Sequence, residues 1–181
     1  MLWASFTTAF FGCLRSSEFG SPSSTVFSAT STLLAKDVQL TNSVAKITIK
    51  PSKADPFRNG NEINPAASNS SICPLRALRN HLRSCTRPDS PLFTFTDNTF
   101  LTRHSLSNIL KSLLRPTCPD IDRYSSHSFR IGAATTASAA DVPAWLIKVL
   151  GRWSSNCFER YIHTPYFTLL IFNISFFYRL S

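Results

Sequence analysis

The chain has 181 residues, 43% of them hydrophobic and 15 of them Phe. This suits one domain with a real core and excludes disorder as a class. Nineteen Lys and Arg against ten Asp and Glu leave a formal charge of +9, a surface that attracts polyanions, nucleic acid first and an anionic membrane second.

Residues 1–19 carry apolar side chains at helical spacing, with Trp3, Phe6, Phe10 and Cys13 in one row and Leu2, Ala9 and Leu14 beside it. Gly20 and Pro22 end the run. The pattern starts at Met1 with no polar cap ahead of it, and so reads as a piece of a longer protein. Residues 21–32 are a Ser/Thr-rich loop. Ala45, Ile47 and Ile49 alternate with Lys46, Thr48 and Lys50, which predicts a hairpin turning at Thr41–Ser43, and a short third strand is expected near Glu62–Asn64.

Pro74 in a first turn, with Leu75, Leu78 and Leu82 on one face, predicts a helix over 73–84. Residues 91–95 read as a brief extended run. Thr102 is expected to cap a helix bearing Leu106, Ile109, Leu110 and Leu113, stopped by Pro116 and Pro119. Residues 127–140 form a helix of small side chains, Asp141 is expected to cap "VPAWLIKVLG", and Ser154 or Ser155 to cap one more short helix. The class is mainly α with a small antiparallel sheet.

Five cysteines at wide spacing, without C-x-x-C, suggest neither a disulfide framework nor a zinc site. The four histidines show no paired spacing, so no metal is expected. Residues 1–14 lack the basic stretch of a secretory signal, and the apolar run 166–178, broken by Asn173 and Ser175, is too short for a membrane span.

The residues able to carry chemistry are few. His127 and Arg130 in "HSFR" are three apart on one helical face, where Arg offers a planar fork for phosphate oxygens and His can move a proton near neutral pH. Arg15 ends the most apolar helix, with Glu18 three residues on to orient it. Lys53 lies at a hairpin tip, and Tyr161 follows "GRW". Taken singly, each has an ordinary explanation: a solvated face, a snorkelling Arg, a solvated Lys, a packed Tyr.

Taken in order, Arg15, Lys53 on a hairpin, H-x-x-R and then G-R-W with Tyr161 resemble the catalytic domain of tyrosine recombinases, the phage-integrase-like family. The resemblance covers about residues 1–165. "SKADPFRNG", "CPLRALRNHL", "HSFRIGAAT" and "LGRWSSNCFERYI" look most like the recombinases of eukaryotic DIRS-like and Crypton mobile elements.

The resemblance implies an enzyme of DNA recombination and integration, and that family's catalytic-domain fold. Arg15 and Arg130 would clamp the scissile phosphate, and Tyr161 would attack it to form a 3′-phosphotyrosyl link. His127 would take the tyrosine proton, Lys53 would protonate the leaving 5′-oxygen, and Glu18 would support Arg15. The family's His/Trp slot is ambiguous here, because Arg152 stands nine residues and Trp153 eight residues before Tyr161. Trp153 is favoured, since its indole N–H can donate to the phosphate; Arg152 in the slot would add a third cation.

No cofactor is implied. The partners implied are double-stranded DNA and other copies of the chain, as a tetramer on DNA, with no membrane and a nuclear location. The family's N-terminal DNA-clamp domain has no counterpart in this chain. Residues 166–181 read as an apolar tail outside the domain, either read-through sequence or a segment docking on a neighbouring protomer. The competing readings are a truncated or domesticated DNA-binding module without cleavage, and a type IB topoisomerase.

Overall fold

The computed structural model describes residues 1–51, 60–85, 87–155 and 159. Among the described residues, six α-helices are defined: α1 (Leu2–Phe11), α2 (Ser16–Phe19), α3 (Pro74–Leu82), α4 (Arg103–Leu114), α5 (Ser128–Ala139) and α6 (Ala144–Leu150). Strands β1 (Val38–Leu40), β2 (Ala45–Ile49) and β3 (Asn61–Ile63) form one antiparallel sheet in the order β1-β2-β3. Ile47 pairs with Val38 on one side and Ile63 on the other. The predicted alternation holds, with Ala45, Ile47 and Ile49 buried and Lys46 and Thr48 exposed.

The main core gathers β2, α1, α3 and the segment around Leu92 and Phe93. Helix α1 lies against α3 and α5. Its buried face is built of Ala4, Ser5, Thr7, Thr8 and Ala9, while Trp3 is exposed, contrary to the aromatic row expected from the sequence. Small side chains let the helices approach closely. The hydroxyls of Ser5 and Thr7 return to the carbonyls of Leu2 and Trp3, which removes the cost of burying them. Phe6 stacks on Phe129 of α5 at 5.0 Å between ring centroids. A second, smaller cluster joins Ala134 of α5, Ile147 of α6 and Trp153.

Thr102 caps α4 as predicted, its hydroxyl accepting from Ser105 N at 3.0 Å, and Pro74 is in the first turn of α3. Within α4 only Leu106 is buried, and Leu113 of the expected stripe is exposed. Residues 91–95 form no strand of the sheet; single bridges join Pro91 to Leu34 and Thr94 to Phe100.

Three helices end in the same way. After α1, Leu14 N donates to Ala9 O and Cys13 N to Phe10 O, with Cys13 left-handed at φ 47. After α5, Val142 N donates to Ala137 O and Asp141 N to Ser138 O, with Asp141 at φ 58. After α6, Trp153 N donates to Lys148 O and Arg152 N to Val149 O, with Arg152 at φ 53. Each is a Schellman ending with a residue other than Gly in the left-handed position.

Two expectations change as a result. The run 1–19 is not one helix: the ending at Cys13 splits it, and Arg15 becomes the N-cap of α2 rather than a snorkelling end. Asp141 closes α5 and does not cap α6, whose N-cap is Pro143. Because Asp141 is exposed and left-handed, Asp141→Gly is expected to raise stability by about 0.5–1 kcal/mol in urea denaturation, and Asp141→Val to lower it.

Candidate functional site

The endings of α1 and α6 face one another across three arginines. Arg130 of α5 donates from Nη1 to Cys13 O at 2.9 Å and from Nη2 to Gly151 O. Arg152 donates to Gly12 O at 3.2 Å, Cys13 O at 3.1 Å and Leu150 O at 3.0 Å. Arg15 donates to Arg152 O at 2.9 Å. The last carbonyls of a helix lack intrahelical partners and carry the negative end of its dipole, so two helix ends solvate these cations.

Glu18 supplies the counter-charge. One carboxylate oxygen accepts from Arg15 N at 2.7 Å and from Arg152 Nη2 at 2.8 Å, and the other accepts from Arg15 Nη1 at 2.8 Å. Arg130 Nη1 stands 4.0 Å from the same carboxylate. The side chain of Glu18 is 4% exposed and that of Arg130 is 1%, whereas Arg15 keeps 30%. Arg15 is therefore the guanidinium that an incoming anion meets first. Burial, then the neighbouring Arg15 charge, pull Arg130 down to about 10, with Glu18 opposing; it remains a cation at neutral pH.

Trp153 stacks under Arg130, with the guanidinium carbon 4.2 Å from the ring centroid. Gly151 permits this. A Cβ there would lie 1.6 Å from a Trp153 ring atom, so the glycine is required by close approach; its φ of −83 is open to any residue. His127 is the N-cap of α5. Burial, then the charges of Arg130, Arg103 and Arg15, hold its imidazole below the ordinary 6.5, so it is neutral at neutral pH. Burial pushes the Cys13 thiol up despite Arg152 and Arg130, so it is a poor nucleophile.

The structure thus brings together Arg15, Glu18, Arg130, Arg152 and Trp153, with His127 in electrostatic reach. Lys53 and Tyr161 lie outside the described residues. Sequence reasoning did not single out Arg103, whose charge acts on His127, nor the carbonyls of Gly12, Cys13 and Gly151. Arg103 follows the Thr102 cap directly, a position that signals a cation at a helix start. Among the described residues no cluster of His, Cys, Asp and Glu could hold a metal, and no helix is long and apolar enough to cross a membrane.

No known protein family's profile and no curated protein matches the chain. Solved structures do. The XerH site-specific recombinase bound to its difH substrate in a pre-cleavage complex superposes with a TM-score of 0.60 at 16% identity, over 90% of this chain and 42% of that one. The Tn1549 transposon integrase in complex with circular intermediate DNA superposes with a TM-score of 0.58 at 13% identity, over 98% of this chain and 59% of that one. The fold is that of a tyrosine recombinase catalytic domain, helix-rich with a small antiparallel sheet. The chain spans less than two thirds of the length of either recombinase.

Two outcomes follow from the site. Glu18→Gln leaves buried guanidiniums without their carboxylate and is expected to cost about 3–5 kcal/mol in chemical denaturation. The pH dependence has a definite sign. His127 and His81 are both held below 6.5 in the folded chain, so the unfolded chain binds more protons as the pH falls through about 6.5. The melting temperature is expected to fall from pH 7 to pH 5, and less steeply in His127→Gln.

Proposed function

We propose that the chain cleaves and rejoins DNA strands through a 3′-phosphotyrosyl intermediate, in the recombination or integration of a mobile element. The observation that carries this reading is the charge of the cluster. Three guanidiniums share one carboxylate, which leaves a net charge of two positive units. A phosphodiester carries one negative charge, and attack by a phenolate adds a second at the transition state. The excess suits that dianion, and such preorganised donors act most strongly away from water.

In this reading Tyr161 Oη attacks the phosphorus while the bond to the 5′-oxygen breaks. The tyrosine proton passes to His127, which is neutral and able to accept it. Lys53 gives a proton to the leaving 5′-oxygen. A 5′-hydroxyl from another duplex then reverses the step and frees the tyrosine, so bond energy is kept and no cofactor is consumed. Arg15 takes the phosphate first, and Glu18 fixes its orientation. Arg152 is turned toward Glu18 and the α1 carbonyls, so its part is to hold the loop rather than to bind phosphate.

Arg130 has to exchange a carbonyl partner to reach the substrate. Loss of the Gly151 carbonyl contact would loosen the α6 ending at the moment the phosphate docks. This also favours a second reading. If that carbonyl does not yield, the chain contacts DNA without cutting it, as a truncated or domesticated binding module.

A nicked suicide duplex separates the two. Wild type is expected to form a covalent protein–DNA adduct on denaturing gels, and Tyr161→Phe none. Binding by both without adduct selects the module. Arg15→Ala is expected to lower the adduct rate about 10²–10³-fold, the typical effect of losing one transition-state donor. A nuclear location, assembly into a tetramer on DNA, and residues 166–181 lying outside the catalytic domain belong to the same proposal.

A further inference from the structure

Helix α3 buries Pro74, Leu75, Ala77, Leu78 and His81. Its opposite side carries Arg76 and Arg83, both exposed, and Arg79, half-buried. Spacings of three and four residues keep the three on one face, with Arg76 and Arg83 about 10 Å apart along the axis. Arg87, also exposed, follows the helix. No Asp or Glu occurs between Glu62 and Asp89, and those two are engaged elsewhere, Glu62 by Lys46 at 2.9 Å and Asp89 by Lys36 at 2.7 Å. Among the described residues none of the four arginines makes an ion pair.

Two of these guanidiniums are held in place by carbonyls. Arg76 Nη2 donates to Ser70 O at 2.7 Å, and Arg79 Nη2 to Thr41 O at 2.9 Å. Each has five N–H donors, so its orientation is set while donors remain for a ligand. A row of oriented cations without counter-charge calls for a polyanion. The only other exposed side chain on this face is Asn80. A protein partner or a membrane surface needs apolar anchors. A nucleic-acid backbone needs none, and cations of this kind supply most of its affinity.

The face is separate from the arginine cluster. Helix α1 packs against both α3 and α5, and Leu75 and Leu78 share the core with Ala4 and Ala9 of α1. The arginine side of α3 is therefore turned away from α1, and no residue of α3 belongs to the cluster around Glu18. We propose that this face binds the backbone of a second DNA duplex, distinct from the one whose strand is held at the cluster, an inference that rests on the DNA reading above. The contact is to phosphates, so it brings a second duplex to the protein without sequence preference.

The test mixes a donor-labelled and an acceptor-labelled duplex with the full chain, between about 50 and 200 mM salt. Energy transfer reports two duplexes in one assembly, and anisotropy reports binding of one. Wild type is expected to give transfer that falls steeply with salt. The triple variant Arg76→Ala, Arg79→Ala, Arg83→Ala keeps good helix formers and should still bind one duplex. It should need about tenfold more protein for transfer, with the salt slope reduced by roughly 3. Lys at the same three positions should restore transfer, and Lys36→Ala, a cation already paired with Asp89, should leave it unchanged. Equal transfer in wild type and the triple Ala variant means that copies bridge duplexes by joining one another, and overturns the assignment. So does single-duplex binding by the wild type without transfer, or transfer abolished more readily by polyglutamate than by unlabelled duplex of equal charge, which would mark an acidic protein as the partner. In those cases the functional reading stands. Absence of DNA binding by the wild type overturns both.

Discussion

Everything at the site depends on one buried carboxylate. Glu18 holds Arg15 and Arg152 directly, and Arg130 lies 4.0 Å away. Guanidiniums gathered round one carboxylate repel one another, and, after burial, the charges of Arg15 and Arg152 both pull Arg130 down. Three of them do not gather without compensation, and a single negative charge is not enough. The remainder comes from carbonyls at the ends of α1 and α6, where the dipole of each helix leaves roughly half a negative charge. Remove the carboxylate and the dipoles still face repelling cations. Remove the helix ends and one carboxylate is shared three ways. The site needs both.

The backbone strain belongs to the same arrangement. Cys13 and Arg152 are left-handed, a conformation costing roughly 1–2 kcal/mol for a residue other than Gly, and their carbonyls are among the acceptors of the cluster. A glycine at position 13 would ease the turn and keep the carbonyl. A glycine at position 152 would also delete a guanidinium with four hydrogen-bond acceptors: Gly12 O, Leu150 O, Cys13 O and Glu18. The strain at 152 is offset by what the side chain holds. At position 141 the exposed Asp offers no comparable return, so the same substitution is expected to act oppositely at the two positions.

The sequence was legible wherever structure is local. Alternation at Ala45, Ile47 and Ile49 needs only the two-residue repeat of a strand, Thr102 only the geometry of a first turn, and Pro74 only its fixed φ. The third strand was placed within a residue. The breaks were not legible, because Cys13, Asp141 and Arg152 are not the glycines that usually mark a Schellman ending. Trp3 misled for a different reason: the helix buries its small side for close packing and leaves its largest ring outside. At the site, order along the chain pointed to Arg15, Glu18, His127 and Arg130. The direction in which Arg152 turns did not follow, since its partners Gly12 and Cys13 lie about 140 positions away in the chain. Such contacts are fixed by the packing of α1 against α5 and of α5 against α6.

The unequal exposure of the arginines orders the chemistry that the proposal assigns to them. Arg15, 30% exposed, can receive a phosphate without prior rearrangement. Arg130, 1% exposed and stacked on Trp153, cannot. In the proposed reaction Arg130 exchanges a carbonyl partner for a phosphate oxygen, so each of its donors stays paired. The carbonyl to be displaced belongs to Gly151, whose lack of a side chain is what lets Trp153 close beneath the guanidinium. Phosphate docking and release of the α6 ending are then, in the proposed reaction, coupled at Gly151. A larger residue at that position would disturb both at once, through the indole it displaces.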